Sequence, residues 1–185
     1  NESEFVQEAL NLAIGASGAQ RAILVESSGG SKSVSAHRWQ EQLEGLAPEQ
    51  GVDWLLVGRA MESRRTLAGE KTGSVSRESA GRLADALLPR ASLCVPVPSE
   101  SRSSQLAIYV DHHANVRAFD DSVISYIECI AGTLASRIDT ATWERRIADQ
   151  EVALDESRSQ LLRMERNHLA GEMASGVAHD LRNLL

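Results

Sequence analysis

Ser92-Leu93-Cys94-Val95-Pro96-Val97, the polar turn Ser99 to Ser104 and Leu106-Ala107-Ile108-Tyr109-Val110 form the stretch on which the fold turns. Two apolar runs of strand length joined by a short polar turn predict a central antiparallel pair. Upstream, Ala22-Ile23-Leu24-Val25 is a short β-prone run that stops at Ser27-Ser28-Gly29-Gly30. Ser33 to Trp39 then resumes with an alternating character, so a β-hairpin is predicted. Glu4 to Ile14 places Phe5, Ala9, Leu12 and Ala13 at helical spacing, ended by Gly15 and Gly18. Val52 to Met61 reads as a helix, Thr66-Leu67-Ala68 as a short strand, and Leu83 to Leu88 as a further helix stopped by Pro89.

Downstream the chain changes character, because no proline follows Pro98. From Phe119 the spacing is helical, with Ile124, Ile127, Ile130, Ala131, Leu134 and Ile138 on one stripe. Asp120 is placed to accept from a first-turn N–H as N-cap, with Phe119 and Ile124 as the two halves of a hydrophobic staple. Ile147, Leu154 and Leu161 recur every seven residues, and Met164 and His168 continue that seam. An extended helix cannot bury such a seam alone, so a parallel homodimer is expected.

Composition narrows the function classes. The 185 residues carry 19 Lys+Arg against 26 Asp+Glu, a net charge of −7, which argues against binding to a nucleic-acid backbone. Hydrophobic residues make up 42% and charged residues 24%, ordinary globular usage that excludes a wholly disordered chain. Cys94 and Cys129 are the two cysteines, with no close pair and no histidine at ligand spacing, so neither a disulfide framework nor a zinc site is expected. The reducing cytoplasm is the default compartment. Val123 to Ile138, the most apolar stretch, is interrupted by Glu128 and Arg137 and is shorter than the roughly 20 residues a spanning helix needs. The chain starts at Asn1 with no signal-peptide pattern and ends at Leu185 inside an apolar run, and is read as a piece of a longer polypeptide.

The last seventeen residues carry the sharpest chemical signal. Leu169, Met173, Val177, Leu181 and Leu184 repeat every three or four positions and define one face. His179 lies two residues from both Val177 and Leu181, about 200° round the helix, and so points out of that face. Ala178-His179-Asp180-Leu181-Arg182-Asn183-Leu184-Leu185 resembles the H-box of a sensor histidine kinase, closest to the nitrogen-regulation type. The resemblance implies that His179 is the phosphoacceptor, its neutral imidazole attacking the γ-phosphorus of ATP. Asp180 would fix the tautomer and act as general base, stabilising the developing imidazolium. Asn183, one turn on, would position a water or phosphoryl oxygen during phosphotransfer or phosphatase chemistry. ATP with Mg²⁺ is expected to be bound by the parent's own ATP-binding domain outside this chain, and a response-regulator receiver domain to accept the phosphoryl group on an Asp.

The region before that resembles a GAF-type sensor domain, on Ser92 to Val97, Leu106 to Asp111 and Phe119-Asp120-Asp121. That implies an α+β fold, an antiparallel sheet flanked by helices, with room for a pocket on one face that either takes a small-molecule ligand or is unused in a purely dimerising domain. Its ligand is unidentified: no cyclic-nucleotide signature is recognisable, and Cys94, inside a strand, is not in a bilin-attachment setting. The organisation expected is a GAF-like domain over residues 1–137, a signalling coiled coil over 138–168 and the truncated start of a dimerisation and phosphoacceptor helix over 169–185. The rival reading is a non-catalytic GAF-like binding and dimerisation module whose coiled coil passes signal to another output. Four features read as bland. Asp111-His112-His113-Ala114 resembles a metal-dependent phosphoesterase motif but lacks the further carboxylates, and is expected to be a strand-end turn. Gly29-Gly30-Ser31-Lys32-Ser33 lacks the spacing of a phosphate loop and is expected to be a hairpin turn. Arg64-Arg65 reads as a solvated pair, and Trp39 and Trp54 as contributors of core area.

Overall fold

A computed structural model describes residues 2–39, 47–70, 89–113 and 118–184, with all but Gly171 beyond His168 described by backbone alone. The expected helix at Leu83 to Leu88 lies outside the described residues. The chain comprises two compact units, Asn1–Ala141 and Thr142–Leu185.

The first unit is built on five antiparallel strands: β1 Arg21–Ser28, β2 Ser31–Trp39, β3 Leu67–Glu70, β4 Ala91–Val97 and β5 Gln105–His112, in the order β2-β1-β5-β4-β3. The β4–β5 pair expected from the sequence is there, with Cys94 opposite Tyr109 and Leu93 opposite Val110. β1 and β2 form the expected hairpin. Its two-residue turn is Gly29-Gly30, at φ 58° and 86°, a left-handed geometry that glycine adopts without a Cβ penalty.

Alternate residues of each strand feed two different cores, because the pleat points successive side chains to opposite faces. Ala22, Leu24, Leu93, Val95, Ile108 and Val110 meet α1 (Glu2–Ser17) and the first turns of α3 (Asp121–Leu184) on one face. Ile23, Val25, Cys94, Ala107 and Tyr109 meet α2 (Trp54–Ser63) on the other. Covered on both faces, Arg21 to Val25 are buried without interruption, which explains why β1 reads as a continuous apolar run.

The helices begin where local chemistry says they should. Asp53 caps α2 by accepting from the Leu56 N–H at 3.0 Å, and Asp120 caps α3 by accepting from the Val123 N–H at 2.8 Å. The stripe Ile127, Ile130, Ala131, Leu134 and Ile138 is buried as expected. The stripe assigned to α1 needs correction. Its buried residues are Val6, Ala9, Leu10 and Ala13, whereas Phe5 and Leu12 are 37% and 46% exposed. Phe5/Leu12 and Val6/Ala13 are adjacent stripes of equal period, and packing against the sheet selected the second. Phe5 instead lies beneath the Arg137 guanidinium, 5.0 Å from its ring centroid.

The second unit is the remainder of α3. Ile147, Leu154, Leu161 and Met164 are all more than half exposed, the condition of a heptad seam in a single chain.

Candidate functional site

Two places bear on function: the C-terminal turns of α3, where the H-box-like segment of the sequence lies, and the polar groups beneath and beside α2. His179, Asp180 and Asn183 lie on the helical backbone of α3, and their side chains are outside the described residues. A helical backbone puts positions 179 and 183 one turn apart on one face.

In the first unit, a charged pair that sequence reading missed occupies the sheet. Arg21 and Asp111 are 1% and 0% exposed, and the Arg21 Nε and Nη2 groups both donate to Asp111 Oδ2, the former at 2.9 Å. Arg21 Nη1 donates to the carbonyls of Pro48 and Gln50, tying the segment before α2 to β1. Its guanidinium sits over the rings of Trp39 and Tyr109, at 5.2 and 5.7 Å. A planar, weakly hydrated cation is suited to such a stacked, multiply bonded place. Trp39 therefore has a more specific task than supplying core area. The sequence signal available was a lone Arg at the head of an apolar strand, and its partner is distant in the chain.

A second network runs beside it. The Tyr109 hydroxyl donates to Ser92 Oγ at 3.0 Å and accepts from the Asp53 N–H at 3.2 Å. Burial, reinforced by the Asp111 charge, raises the Tyr109 phenol and keeps it neutral. Both networks pin the start of α2 to the sheet. Asp111 also faces His113, Oδ1 to Nε2 at 3.3 Å, so the Asp-His-His stretch is the end of β5, as expected. Among the described residues no group of three or more His, Cys, Asp or Glu is placed to hold a metal ion. Cys94 is fully buried, and that burial pushes its thiol up to about 12, which disfavours the reactive thiolate.

A cleft of about 980 Å³ opens between the end of α2 and the β4–β5 turn. Arg64, Arg65, Thr66, Glu100, Arg102 and Glu128 are among the residues that line it. The Arg64-Arg65 pair read as merely solvated is thus on a concave surface. α2 ends in a Schellman arrangement, with the Arg64 N–H donating to Met61 O and the Arg65 N–H to Ala60 O. Arg64 stands in the left-handed position at φ 52°, where glycine is usual.

No known family profile matches this chain, and no curated protein sequence matches it. Solved structures do. GAF3 from Slr1393 of Synechocystis sp. PCC6803, in its photoproduct state, superposes with a TM-score of 0.59 at 14% identity, over 80% of this chain and 99% of that one. The PixJ GAF domain of Thermosynechococcus elongatus, in its blue-light-absorbing form, gives 0.59 at 16% identity, over 80% and 91%. A GAF domain/HD domain protein from Geobacter sulfurreducens gives 0.56 at 13% identity, over 77% and 94%. The fold is that of a GAF domain: a five-stranded antiparallel sheet flanked by helices, with a long C-terminal helix. Among the described residues no helix is long and apolar enough to cross a membrane.

Proposed function

We propose that this chain is the sensory and phosphoacceptor part of a cytoplasmic two-component sensor histidine kinase. The GAF fold supports a sensory module. The observation that carries the kinase reading is the H-box-like segment Ala178 to Leu185, on a helix whose backbone runs from Asp121 to Leu184. In this reading a homodimer forms along Ile147, Leu154 and Leu161, whose exposure leaves the seam available. The parent's ATP-binding domain brings ATP and Mg²⁺ to the acceptor. That nucleotide supplies the γ-phosphoryl group, and this chain's residues orient the nucleophile.

In this reading the Asp180 carboxylate would accept from one imidazole N–H of His179 and so leave the lone pair of the other nitrogen for the phosphorus. As the N–P bond forms and the bond from the γ-phosphorus to the bridging oxygen breaks, releasing ADP, the ring would become cationic and the adjacent carboxylate would stabilise that charge. Asn183 orients a water or phosphoryl oxygen for the later steps. The receiver domain of a response regulator then takes the phosphoryl group on an Asp. The test is radioactive phosphate labelling of a chain joined to its ATP-binding domain, with His179→Gln as the variant. Labelling that vanishes supports the reading, and labelling that persists overturns it.

A further inference from the structure

We infer that the cleft beside Arg64, Arg65 and Arg102 is an effector site for a small anion carrying at least two negative charges, and that α3 reads its occupancy through Glu128 and Asp139. The inference rests on the sensory reading above and adds to it a location, a ligand class and a route.

Three observations point to an anion. Among the described residues neither Arg64 nor Arg65 has an ion-pair partner, and both are exposed on the cleft. Adjacent guanidiniums with no counter-charge are suited to a carboxylate or phosphate, which they can bind bidentately. Arg102 binds Glu2 and Glu26 through its terminal nitrogens, but its Nε is buried with no hydrogen-bond partner. A buried donor left unsatisfied is a standing cost, and the guanidinium that carries it belongs to a residue lining the cleft. Finally, Arg64 holds a left-handed conformation that glycine would take with less strain. That conformation ends α2 and sets Arg64 on the wall of the cleft.

Both lips of the cleft are bonded to one face of α3. On the first lip Thr66, next in chain to Arg65, donates its hydroxyl to Glu128 Oε1 at 2.5 Å. On the second, Ser99 Oγ and the Glu100 N–H donate to the Asp139 carboxylate at 2.6 and 3.1 Å. Glu128 and Asp139 lie about three helical turns apart, which returns them to the same stripe. An anion drawn against Arg64 and Arg65 pulls on Thr66 and thus on Glu128. Spanning to Arg102, it also pulls on the turn that Asp139 holds. The volume of about 980 Å³ is enough for a metabolite-sized ligand. The Glu100 and Glu128 carboxylates on the same walls repel an anion and confine its seat to the end of the cleft at Arg64 and Arg65.

The test uses the whole chain, with inorganic pyrophosphate and succinate as probes at constant ionic strength, thermal unfolding as the binding readout and a fluorophore on the exposed Cys129 thiol reporting on α3. The expected result is a saturable rise in midpoint with at least one probe. Arg64→Gly and Arg65→Gln each weaken it at least about tenfold, the loss of a charge-assisted contact. Arg38→Gln, on the exposed opposite edge strand, leaves it unchanged. The Cys129 signal should change with the same midpoint, and Glu128→Gln and Asp139→Asn should suppress that signal while binding persists. Failure of both probes to saturate, or equal loss in Arg38→Gln, overturns the anion site. Binding with no Cys129 response overturns the route. Phosphorylation of His179 is read separately, so neither failure is confused with failure of the kinase reading.

Discussion

Asp139 accepts two hydrogen bonds from Ser101, one from the backbone N–H at 3.1 Å and one from the hydroxyl at 2.6 Å. With the bonds from Ser99 and Glu100, a single carboxylate on α3 organises the turn that joins β4 to β5. Burial pushes that carboxyl up, but the Ser101 and Ser99 hydroxyls and the two N–H groups outweigh it and hold it well below the usual carboxylate range.

The sign of the pH dependence follows. A carboxyl depressed in the folded state contributes stability that is present above its ordinary value of 3.8 and lost as pH falls from there through the folded value. Asp139→Asn should therefore cost about 1 kcal/mol at pH 7, the net worth of an ordinary hydrogen bond. The gap to wild type should narrow by pH 3. Urea unfolding of both proteins at the two pH values checks this, and an unchanged gap at pH 3 would assign the loss to shape instead of charge.

Arg21 and Asp111 give a sharper contrast. Arg21→Met leaves a buried carboxylate without its cation and should destabilise by about 3–5 kcal/mol. Arg21→Met/Asp111→Leu removes both charges and should recover a large part of that loss, because a buried pair is often no better than apolar residues of similar volume. Denaturant midpoints of the single and double variants measure it. The Pro48 and Gln50 carbonyls lose their donor in both, so recovery should fall short of complete.

Arg64→Gly separates stability from binding. Relief of the left-handed strain should raise stability by about 0.5–1 kcal/mol, while the affinity for pyrophosphate falls. A variant that loses both would show that Arg64 holds the fold together through its side chain.

These contacts also show what was legible in the sequence. Strand pairing at β4–β5, the Gly29-Gly30 turn and the Asp120 cap were readable because each depends on neighbours in the chain or on a two-residue period. The α1 face was not, since Phe5/Leu12 and Val6/Ala13 differ by one position and only contact with the sheet distinguishes them. Arg21–Asp111 and Ser101–Asp139 join residues far apart in sequence, where spacing has no say. The cleft was invisible because Arg64 and Arg65 look like any exposed pair until α2 and the β4–β5 turn face each other.

The seam of α3 leads to an association prediction. Leu154, 72% exposed in the single chain, should be covered by its symmetry mate in a parallel dimer. Wild type should scatter light as a dimer at tens of micromolar, and Leu154→Glu should shift it to monomer. A monomeric wild type would contradict the expected pairing.

The central claim is that His179 accepts phosphate, and labelling from radioactive ATP in a chain joined to its ATP-binding domain tests it most directly. Asp180→Asn should keep fold and dimer but lose about 10² to 10⁴ in rate, the usual worth of general-base assistance. Asn183→Ala should spare autophosphorylation more than dephosphorylation of the receiver. The account predicts label on wild type and His168→Gln and none on His179→Gln; label persisting on His179→Gln, or lost from His168→Gln, would contradict it.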